Sequence, residues 1–228
     1  MNTNSSTKIV AHADELYAAR ADISKVQESI ELLRVAEPDC FESAWRLSRA
    51  LFFFGQETKV PNEARRLHAG GVKVGRRAVK ARSDRVEGHF WLGVNLALLA
   101  QLESALKALA PALQARKALQ RAIDIDSAYH AAGPLRVLAR LQHKLPRLLG
   151  GGTSRAAENF ERAIAIEPAN TVTRIYFAQL LLEIGAVDRA RAELEAVLSA
   201  PVDSDWTFEI KRDRNLALEL LKDLVEAQ

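Results

Sequence analysis

The stretch SRAAENFERAIAIEP (154–168) decides the fold, because small and apolar residues recur in it at helical spacing and a proline closes it. Ala156, Phe160 and Ala163 fall on one face of a helix, and Pro168 cannot continue that helix. Similar helix ends occur upstream as IELLRVAEP (30–38), GRRAVKARS (75–83) and LQRAIDIDS (119–127). The chain is therefore predicted to repeat one helical unit.

Each of these helix ends is followed by a second helix with one apolar face. The four following sequences are SAWRLSRALFFFG (43–55), GHFWLGVNLALLA (88–100), LRVLARLQHKL (135–145) and RIYFAQLLLEIG (174–185). Their apolar and small residues are three or four positions apart, which is the spacing of an amphipathic helix. A string of helix–turn–helix units is the expected organisation.

The composition favours an all-α protein with an ordinary hydrophobic core. The chain has 228 residues, of which 48% are hydrophobic and 27% are charged, and its net charge is +3. Ala and Leu favour helix, and no alternating apolar run bounded by tight-turn residues indicates a strand. The single cysteine, Cys40, excludes an intrachain disulfide and a cysteine-based zinc cluster.

No segment of the sequence is predicted to cross a membrane. The longest apolar stretch, FWLGVNLALLAQL (90–102), is shorter than the roughly 20 residues that a bilayer requires. The first residues show neither the charged-then-apolar pattern nor the cleavage site of an export signal. We expect a cytoplasmic protein, or a periplasmic one only if an export signal has been removed.

The helix pairs resemble tetratricopeptide repeats (TPRs), whose pattern is W-x2-L-G-x2-Y, then A-x3-F, then P. The residues that match the two helices of this pattern are Leu92, Gly93 and Leu96, and Ala156, Phe160, Ala163 and Pro168. The resemblance implies about four helix pairs stacked as a right-handed superhelix. We expect a flexible tail over residues 1–8, a single domain over 9–228, and a capping helix over 206–226 that covers the last pair.

The spacing of the units departs from that of an ordinary TPR array. The last interval, from Pro168 to Pro201, is 33 residues and lies near the usual period of about 34, whereas the earlier intervals are longer. With these insertions, residues 12–200 resemble a divergent branch that contains the bacterial TRAP-transporter T-component-like proteins and the eukaryotic regulators of microtubule dynamics. Such motifs are specific for a fold and say little about function.

The glycine run LLGGGTS (148–154) could indicate a phosphate-binding loop or a joint between helices. A P-loop requires G-x-x-x-x-G-K-[ST] after a strand, and neither the lysine nor the strand is present. The glycines suit a joint, with Thr153 or Ser154 as the cap of the next helix. The sequence also lacks recognisable catalytic and metal-ligand motifs, so we expect no enzyme, no metal and no cofactor.

The inner face of the stacked units is the first candidate binding surface. The register of the repeat places on it Trp45, Arg49, Phe52, Phe53, Phe90, Val94, Leu98, Arg136, Arg140, His143 and Lys144. A groove that changes from aromatic to basic suits a protein or peptide with an acidic or carboxylate end, because arginine pairs with carboxylates through a planar fork. Alternatively, the inserted segments bury the aromatic side chains and the basic residues only solvate an edge.

A basic run between Lys59 and Arg85 is the second candidate. Its principal residues are Arg66, Lys73, Arg76, Arg77 and Lys80. Most of them share one helical face, which could contact a polyanion or an acidic partner. No aromatic residues accompany them for base stacking, so we expect a solvated helix face and do not expect nucleic acid as the partner.

These features predict a non-enzymatic TPR scaffold that binds a protein or peptide through its concave groove. The transporter resemblance leaves open a second function, that of a ligand-binding accessory component of a solute transporter. The basic run leaves open a third, the binding of a polyanion or an acidic partner through residues 59–85. Charge reversal at Arg136 and Arg140 is the test that the groove hypothesis suggests.

Overall fold

Every regular element that the structure describes is a helix. The computed structural model describes residues 3–36, 40–147 and 150–226. The helices are α1 (Thr3–Ala18), α2 (Ile23–Val35), α3 (Phe41–Glu57), α4 (Pro61–Ala81), α5 (Val86–Gln101), α6 (Ala105–Ile125), α7 (Tyr129–Lys144), α8 (Thr153–Ile166), α9 (Thr171–Glu183), α10 (Val187–Ser199) and α11 (Thr207–Glu226). A 3-10 turn at Ser204–Trp206 precedes α11. The all-α prediction is confirmed.

The helices are grouped in two compact units. Unit 1 comprises residues 1–126, with α1 to α6, and unit 2 comprises residues 127–228, with α7 to α11. Within each unit, helices that follow one another in the chain pack together, as in an array of helical hairpins. The resemblance to TPR proteins had predicted a single domain over residues 9–228.

The first helix pair, α1 and α2, differs from what the sequence predicted. Helix α1 begins at Thr3, so the prediction of a tail over residues 1–8 is wrong for residues 3–8. Ala13 of α1 is buried, and its carbonyl oxygen accepts a hydrogen bond from Ser29 Oγ of α2 at 2.9 Å. Packing of this kind stabilises a helix whose first residues have little helical propensity. The described residues therefore form five helix pairs and a terminal helix, one pair more than predicted.

The core of unit 1 contains a cluster of paired polar side chains on α3, α4 and α5. Asn95 Nδ2 donates to the carbonyl oxygens of Ser48 at 3.0 Å and Trp91 at 2.9 Å. Asn95 Oδ1 lies 3.1 Å from Nδ1 of His68 and accepts its hydrogen bond. Gly71 leaves room for this amide, because a Cβ at that position would lie 2.4 Å from it. The hydrogen bonds satisfy polar groups that burial would otherwise penalise.

We predict that unit 1 loses stability as the pH falls below about 6.5, because of His68. Burial lowers the pKa of His68 from its ordinary value of 6.5. The unfolded chain therefore binds a proton at a higher pH than the folded chain does. Between 6.5 and the lowered pKa, the free energy of unfolding should fall by up to about 1.4 kcal/mol for each unit that the pH decreases.

Urea denaturation at a series of pH values between 4.5 and 7.5 measures this slope (about 1.4 kcal/mol per pH unit at most for one group). His68→Gln should make the slope shallower, and His12→Gln, on the exposed face of α1, controls for the loss of an imidazole. If the slope of His68→Gln equals that of the unmodified protein, the proton is taken up by another group.

The residues that match the TPR pattern form the core of unit 2. Ala156, Phe160 and Ala163 of α8 have no exposed surface. The ring of Phe160 lies 5.6 Å from that of Phe177 on α9. Helix α11 packs on α9 and α10 through Ala217 and the leucines beside it. The repeat pattern therefore identified the helix faces that meet in this core.

The glycine run joins α7 to α8. Gly152 has a φ of 128°, in the region that only glycine adopts without strain. A Cβ at Gly151 would lie 1.9 Å from the carbonyl oxygen of Leu145, so no other residue fits there. Gly152 is itself the N-cap of α8 and makes no side-chain capping bond. The expectation that Thr153 or Ser154 caps α8 is therefore wrong.

Candidate functional site

The aromatic part of the predicted groove lies in the core of unit 1. Trp45, Phe53, Phe90 and Val94 are each at most 9% exposed. The ring of Phe90, for example, lies 4.7 Å from that of Trp91 in an edge-to-face contact. The prediction of an exposed aromatic wall is therefore wrong for these four residues, because the neighbouring helices cover them.

Helix α1 accounts for part of this burial. The guanidinium carbon of Arg49 lies 3.9 Å from the ring centroid of Tyr17, and Arg49 Nη2 donates to Asp14 at 2.6 Å. The ring of Phe53 lies 5.9 Å from the same tyrosine ring. Arg49 therefore holds α1 on α3. The two remaining groove residues predicted in unit 1 are half-buried: Phe52 and Leu98.

Arg136 of α7 is buried inside unit 2 and holds its own backbone. Arg136 is only 5% exposed. Nη1 donates to the carbonyl oxygen of Ala131 at 2.8 Å and to Oδ1 of Asn170 at 3.3 Å. Burial lowers the pKa of Arg136 to about 10, so the guanidinium remains charged at neutral pH. The assignment of Arg136 to an open groove is wrong.

The turn that Arg136 supports has a strained backbone. His130, Ala131 and Ala132 have φ angles of 52°, 52° and 56°, in the left-handed region that costs a residue with a Cβ roughly 1–2 kcal/mol. The guanidinium of Arg136 reaches the carbonyl oxygens of both His130 and Ala131. These hydrogen bonds offset part of the strain, since they satisfy partly buried peptide oxygens with a charged donor.

The other three basic residues predicted for the groove share a face with α9, which we call the α7–α9 surface. Its residues are Arg140, His143 and Lys144 of α7 and Tyr176, Gln179 and Glu183 of α9. The guanidinium carbon of Arg140 lies 4.7 Å from the ring centroid of Tyr176. Glu183 Oε2 accepts from Nε2 of His143 at 2.8 Å and from Nζ of Lys144 at 3.1 Å. The structure thus brings these three predicted residues together.

Polar atoms on this surface are buried without a hydrogen-bond partner in the described part of the chain. They are Nη1 of Arg140, Nδ1 of His143 and Oε1 of Gln179. Most buried polar groups in proteins are paired, because an unpaired group costs roughly 1–3 kcal/mol. All three of these atoms lie on two helices of one unit.

The protonation states define what these atoms can bind. Burial lowers the pKa of His143, although its hydrogen bond to Glu183 acts in the opposite direction. The neutral ring donates from Nε2 to Glu183, which leaves Nδ1 as an acceptor. Hydrogen bonds from Lys144 and His143 lower the pKa of Glu183. Nη1 of Arg140 is therefore a charged donor, and Nδ1 of His143 and Oε1 of Gln179 are neutral acceptors, all three buried at the α7–α9 surface.

Sequence reasoning selected the α7 half of this surface and missed the α9 half. Tyr176, Gln179 and Glu183 are three and four positions apart, so they share one face of α9. The stretch RIYFAQLLLEIG was predicted as a helix of the same kind as LRVLARLQHKL, which forms most of α7. The register that selected the residues of α7 would have selected these as well, had it been applied to α9.

The basic run is divided between two sides of α4. Arg66, Lys73 and Arg77 line a cavity of about 790 Å³ between α2, α3 and α4, which we call the α2–α4 cavity. On the other side, Arg76 Nη2 donates to Gln114 of α6 at 2.7 Å. Lys80 is exposed and lies outside the cavity lining. Arg66, Lys73, Arg76 and Lys80 are exposed and Arg77 is half-buried, which is compatible with the expected solvated helix face.

Among residues 3–36, 40–147 and 150–226, no group of three or more His, Cys, Asp or Glu side chains is arranged to hold a metal ion. None of the helices in that part of the chain is both long and apolar enough to span a bilayer.

Comparison with known proteins agrees with this architecture. The sequence matches the TRAP transporter T-component family over residues 46–221. None of the curated proteins matches it.

Three similar solved structures show the TPR-type fold. A thermophilic TPR protein from Thermus thermophilus is 21% identical, with a TM-score of 0.66 over 91% of this chain and 98% of that one. A crystal structure of MamA is 16% identical, with a TM-score of 0.51 over 86% and 95% of the two chains. A second MamA structure is 18% identical, with a TM-score of 0.50 over 86% and 91%. The predicted resemblance to TPR proteins is confirmed.

Proposed function

Because the chain belongs to the TRAP transporter T-component family and has a TPR-type fold, we propose that it is a non-enzymatic scaffold that binds a partner protein. The α7–α9 surface takes an acidic peptide end of that partner. The observation that carries this proposal is that three buried polar atoms, on Arg140, His143 and Gln179, have no hydrogen-bond partner among the residues that the structure describes.

The chemistry of the three atoms favours a peptide over a simple anion. A carboxylate would accept the hydrogen bond of Arg140, but it has no proton to give to the acceptors on His143 and Gln179. A peptide end supplies both kinds of group, since its carboxylate accepts and its backbone N–H groups donate. The ring of Tyr176 beneath Arg140 holds the guanidinium in place through a cation–π contact. The surface therefore complements a peptide with an acidic terminus.

We predict that Arg140→Met weakens peptide binding by about 10- to 150-fold, which corresponds to the 1.5–3 kcal/mol of a hydrogen bond to a charged group. A displayed library of random peptides with free carboxyl termini is selected on the unmodified protein. The dissociation constant of the most enriched peptide is then measured by calorimetry for each variant.

The matched control is Arg155→Met, which removes an exposed arginine from α8 in the same unit. Its dissociation constant should equal that of the unmodified protein, and both variants should keep the same midpoint of thermal unfolding. Equal losses of peptide affinity in the two variants would indicate a nonspecific effect of removing a positive charge. A library that yields no acidic peptide would contradict the proposal.

A second candidate function is that of a ligand-binding accessory component of a solute transporter, which the family membership favours. In that case a small carboxylate would occupy Arg140 without a peptide backbone beside it. Titration with acetate and succinate, followed by the midpoint of thermal unfolding, distinguishes the two functions. The transporter function would be favoured if acetate or succinate raised the midpoint of thermal unfolding, Arg140→Met abolished that rise, and no peptide were enriched.

A further inference from the structure

We propose that the α2–α4 cavity of unit 1 is a second binding site, and that it takes an amphipathic helix with an acidic flank from a partner protein. The site uses none of the residues of the α7–α9 surface, so the test of this proposal is independent of the test of the proposed function. The inference rests on the floor of the cavity, the charge of its rim, a glycine in α4 and a buried hydroxyl in α3.

The floor of the cavity is apolar and elongated. Leu47 and Leu51 of α3 and Leu67 of α4 line it and are each less than a tenth exposed. Along α4 the lining extends from Glu63 to Arg77, a distance of roughly 21 Å at 1.5 Å per residue. About four turns of a partner helix have this length, and the N–H and C=O groups of its middle turns are paired within the helix.

The rim carries an excess of positive charge. Two of its four cations already have carboxylate partners on the rim, because Arg34 pairs with Glu31 at 2.8 Å and Arg66 lies 3.8 Å from Glu63. Among the residues that the structure describes, neither Lys73 nor Arg77 takes part in an ion pair. A partner with acidic side chains at this rim would complete the charge pairing.

The positions of the rim cations favour a helix over a molecule with a single charged group. Arg66, Lys73 and Arg77 follow one another at intervals of 7 and 4 residues, so they form a row along α4. An amphiphile with one carboxylate would use only part of this row. A helix with acidic residues at the same spacing would face all of it.

Gly70 keeps the cavity open without any structural requirement for glycine. A Cβ at Gly70 would meet only Leu51 Cδ1, at an ordinary distance of 3.6 Å, whereas the adjacent Gly71 must lack a Cβ because of Asn95. Glycine in a helix interior costs about 1 kcal/mol relative to alanine. The packing of the chain does not account for that cost, but an occupant of the cavity does, since Gly70 lines it.

A buried hydroxyl marks one end of the site. Ser43 lines the cavity and is 2% exposed, and its Oγ has no hydrogen-bond partner among the described residues. It lies in the first turn of α3, where the helix dipole favours negative charge. Helices α3 and α4 form a hairpin in which Ser48 Oγ bonds to the carbonyl oxygen of Gly71, so Ser43 and Arg77 lie toward the same end. An acidic side chain there would accept from both.

The test is a displayed library on a helical scaffold of about 14 residues, long enough to follow the roughly 21 Å lining, with randomised positions on one face. It is selected in parallel on the full-length protein and on Gly70→Leu, which fills the cavity with an apolar side chain. We expect peptides with an apolar stripe and flanking Asp or Glu to be enriched on the unmodified protein. Gly70→Leu should bind them at least about tenfold more weakly, the loss expected from roughly one buried apolar anchor.

The controls separate a blocked site from a disturbed fold. Gly70→Ala and Gly70→Leu should both keep or raise the midpoint of thermal unfolding. Lys73→Glu with Arg77→Glu should weaken binding, whereas Arg76→Glu, on the Gln114 side of α4, should not. Equal binding by Gly70→Leu, or enrichment of peptides without acidic residues, would overturn the proposal. The proposal would also be overturned if no helical peptide were enriched and the protein instead bound dodecanoate, with Gly70→Leu abolishing that binding.

Discussion

Substituting glutamate for Arg136 is expected to unfold residues 127–228, with a loss of at least about 4 kcal/mol in the free energy of unfolding. The carboxylate would be buried against the carbonyl oxygen of Ala131, which now accepts from the guanidinium at 2.8 Å. It would also face Asp213 and Glu209, whose charges stabilise the present cation. The left-handed turn at residues 130–132 would lose the donor that satisfies its oxygens.

Urea denaturation followed by circular dichroism measures this loss. Arg140→Glu, one turn further along α7 and half-buried, is the matched control and should lose much less stability. Ordinary surface substitutions and single exposed ion pairs change the free energy of unfolding by less than about 1 kcal/mol. A loss this small for Arg136→Glu would mean that the guanidinium lies in solvent. The sequence suggested charge reversal at Arg136 as a test of partner binding. A variant that unfolds cannot serve as that test.

Phe160→Ala is expected to destabilise unit 2 by roughly 3–5 kcal/mol, the usual cost of replacing a buried phenylalanine with alanine. The ring has no exposed surface and packs on Phe177 and on the small residues of α8 to α10. Its removal leaves a cavity that helices joined by short turns cannot close by local relaxation.

The comparison for Phe160→Ala is Leu218→Ala on α11, where the leucine is 56% exposed. Chemical denaturation should show a large loss in the free energy of unfolding for Phe160→Ala. For Leu218→Ala the loss should be within about 0.5 kcal/mol, as for most surface substitutions. Similar losses in both would mean that the TPR-matching face of α8 does not form the core of unit 2.

The sequence was sufficient to predict four of the five described helix pairs and the terminal helix. Ala156, Phe160 and Ala163 share one face by spacing alone, and the structure buries that face. The terminal helix was predicted over residues 206–226 and is observed at Thr207–Glu226. Local spacing determines these features, so a single sequence contains the information.

The burial of the aromatic residues depends on contacts that spacing does not encode. The register placed Trp45 and Phe53 on the inner face, but it could not show that α1 covers that face through Tyr17. The first residues of α1 are Thr, Asn and Ser, which resemble a tail rather than a helix. Their helical state depends on the packing of the later part of α1, which is a tertiary effect.

The candidate sites were predicted only in part, for a similar reason. Arg136 and Arg140 are four positions apart on one helix, yet one is buried and the other belongs to the α7–α9 surface. Arg136 donates to the strained turn before it and to Asn170, and no sequence motif indicated either contact. The division of the basic run likewise depends on which neighbouring helices pack on each side of α4.

The most direct test of the proposed peptide site is a double-mutant cycle between Arg140 and the peptide carboxylate. Dissociation constants are measured for the unmodified protein and Arg140→Met, each with the selected peptide and with its carboxyl-terminal amide. If Arg140 binds the carboxylate, the two changes should be coupled by about 1.5–3 kcal/mol, the strength of a hydrogen bond between charged groups. Additive effects, within about 0.5 kcal/mol, would contradict the assignment of the α7–α9 surface as the site for an acidic peptide end.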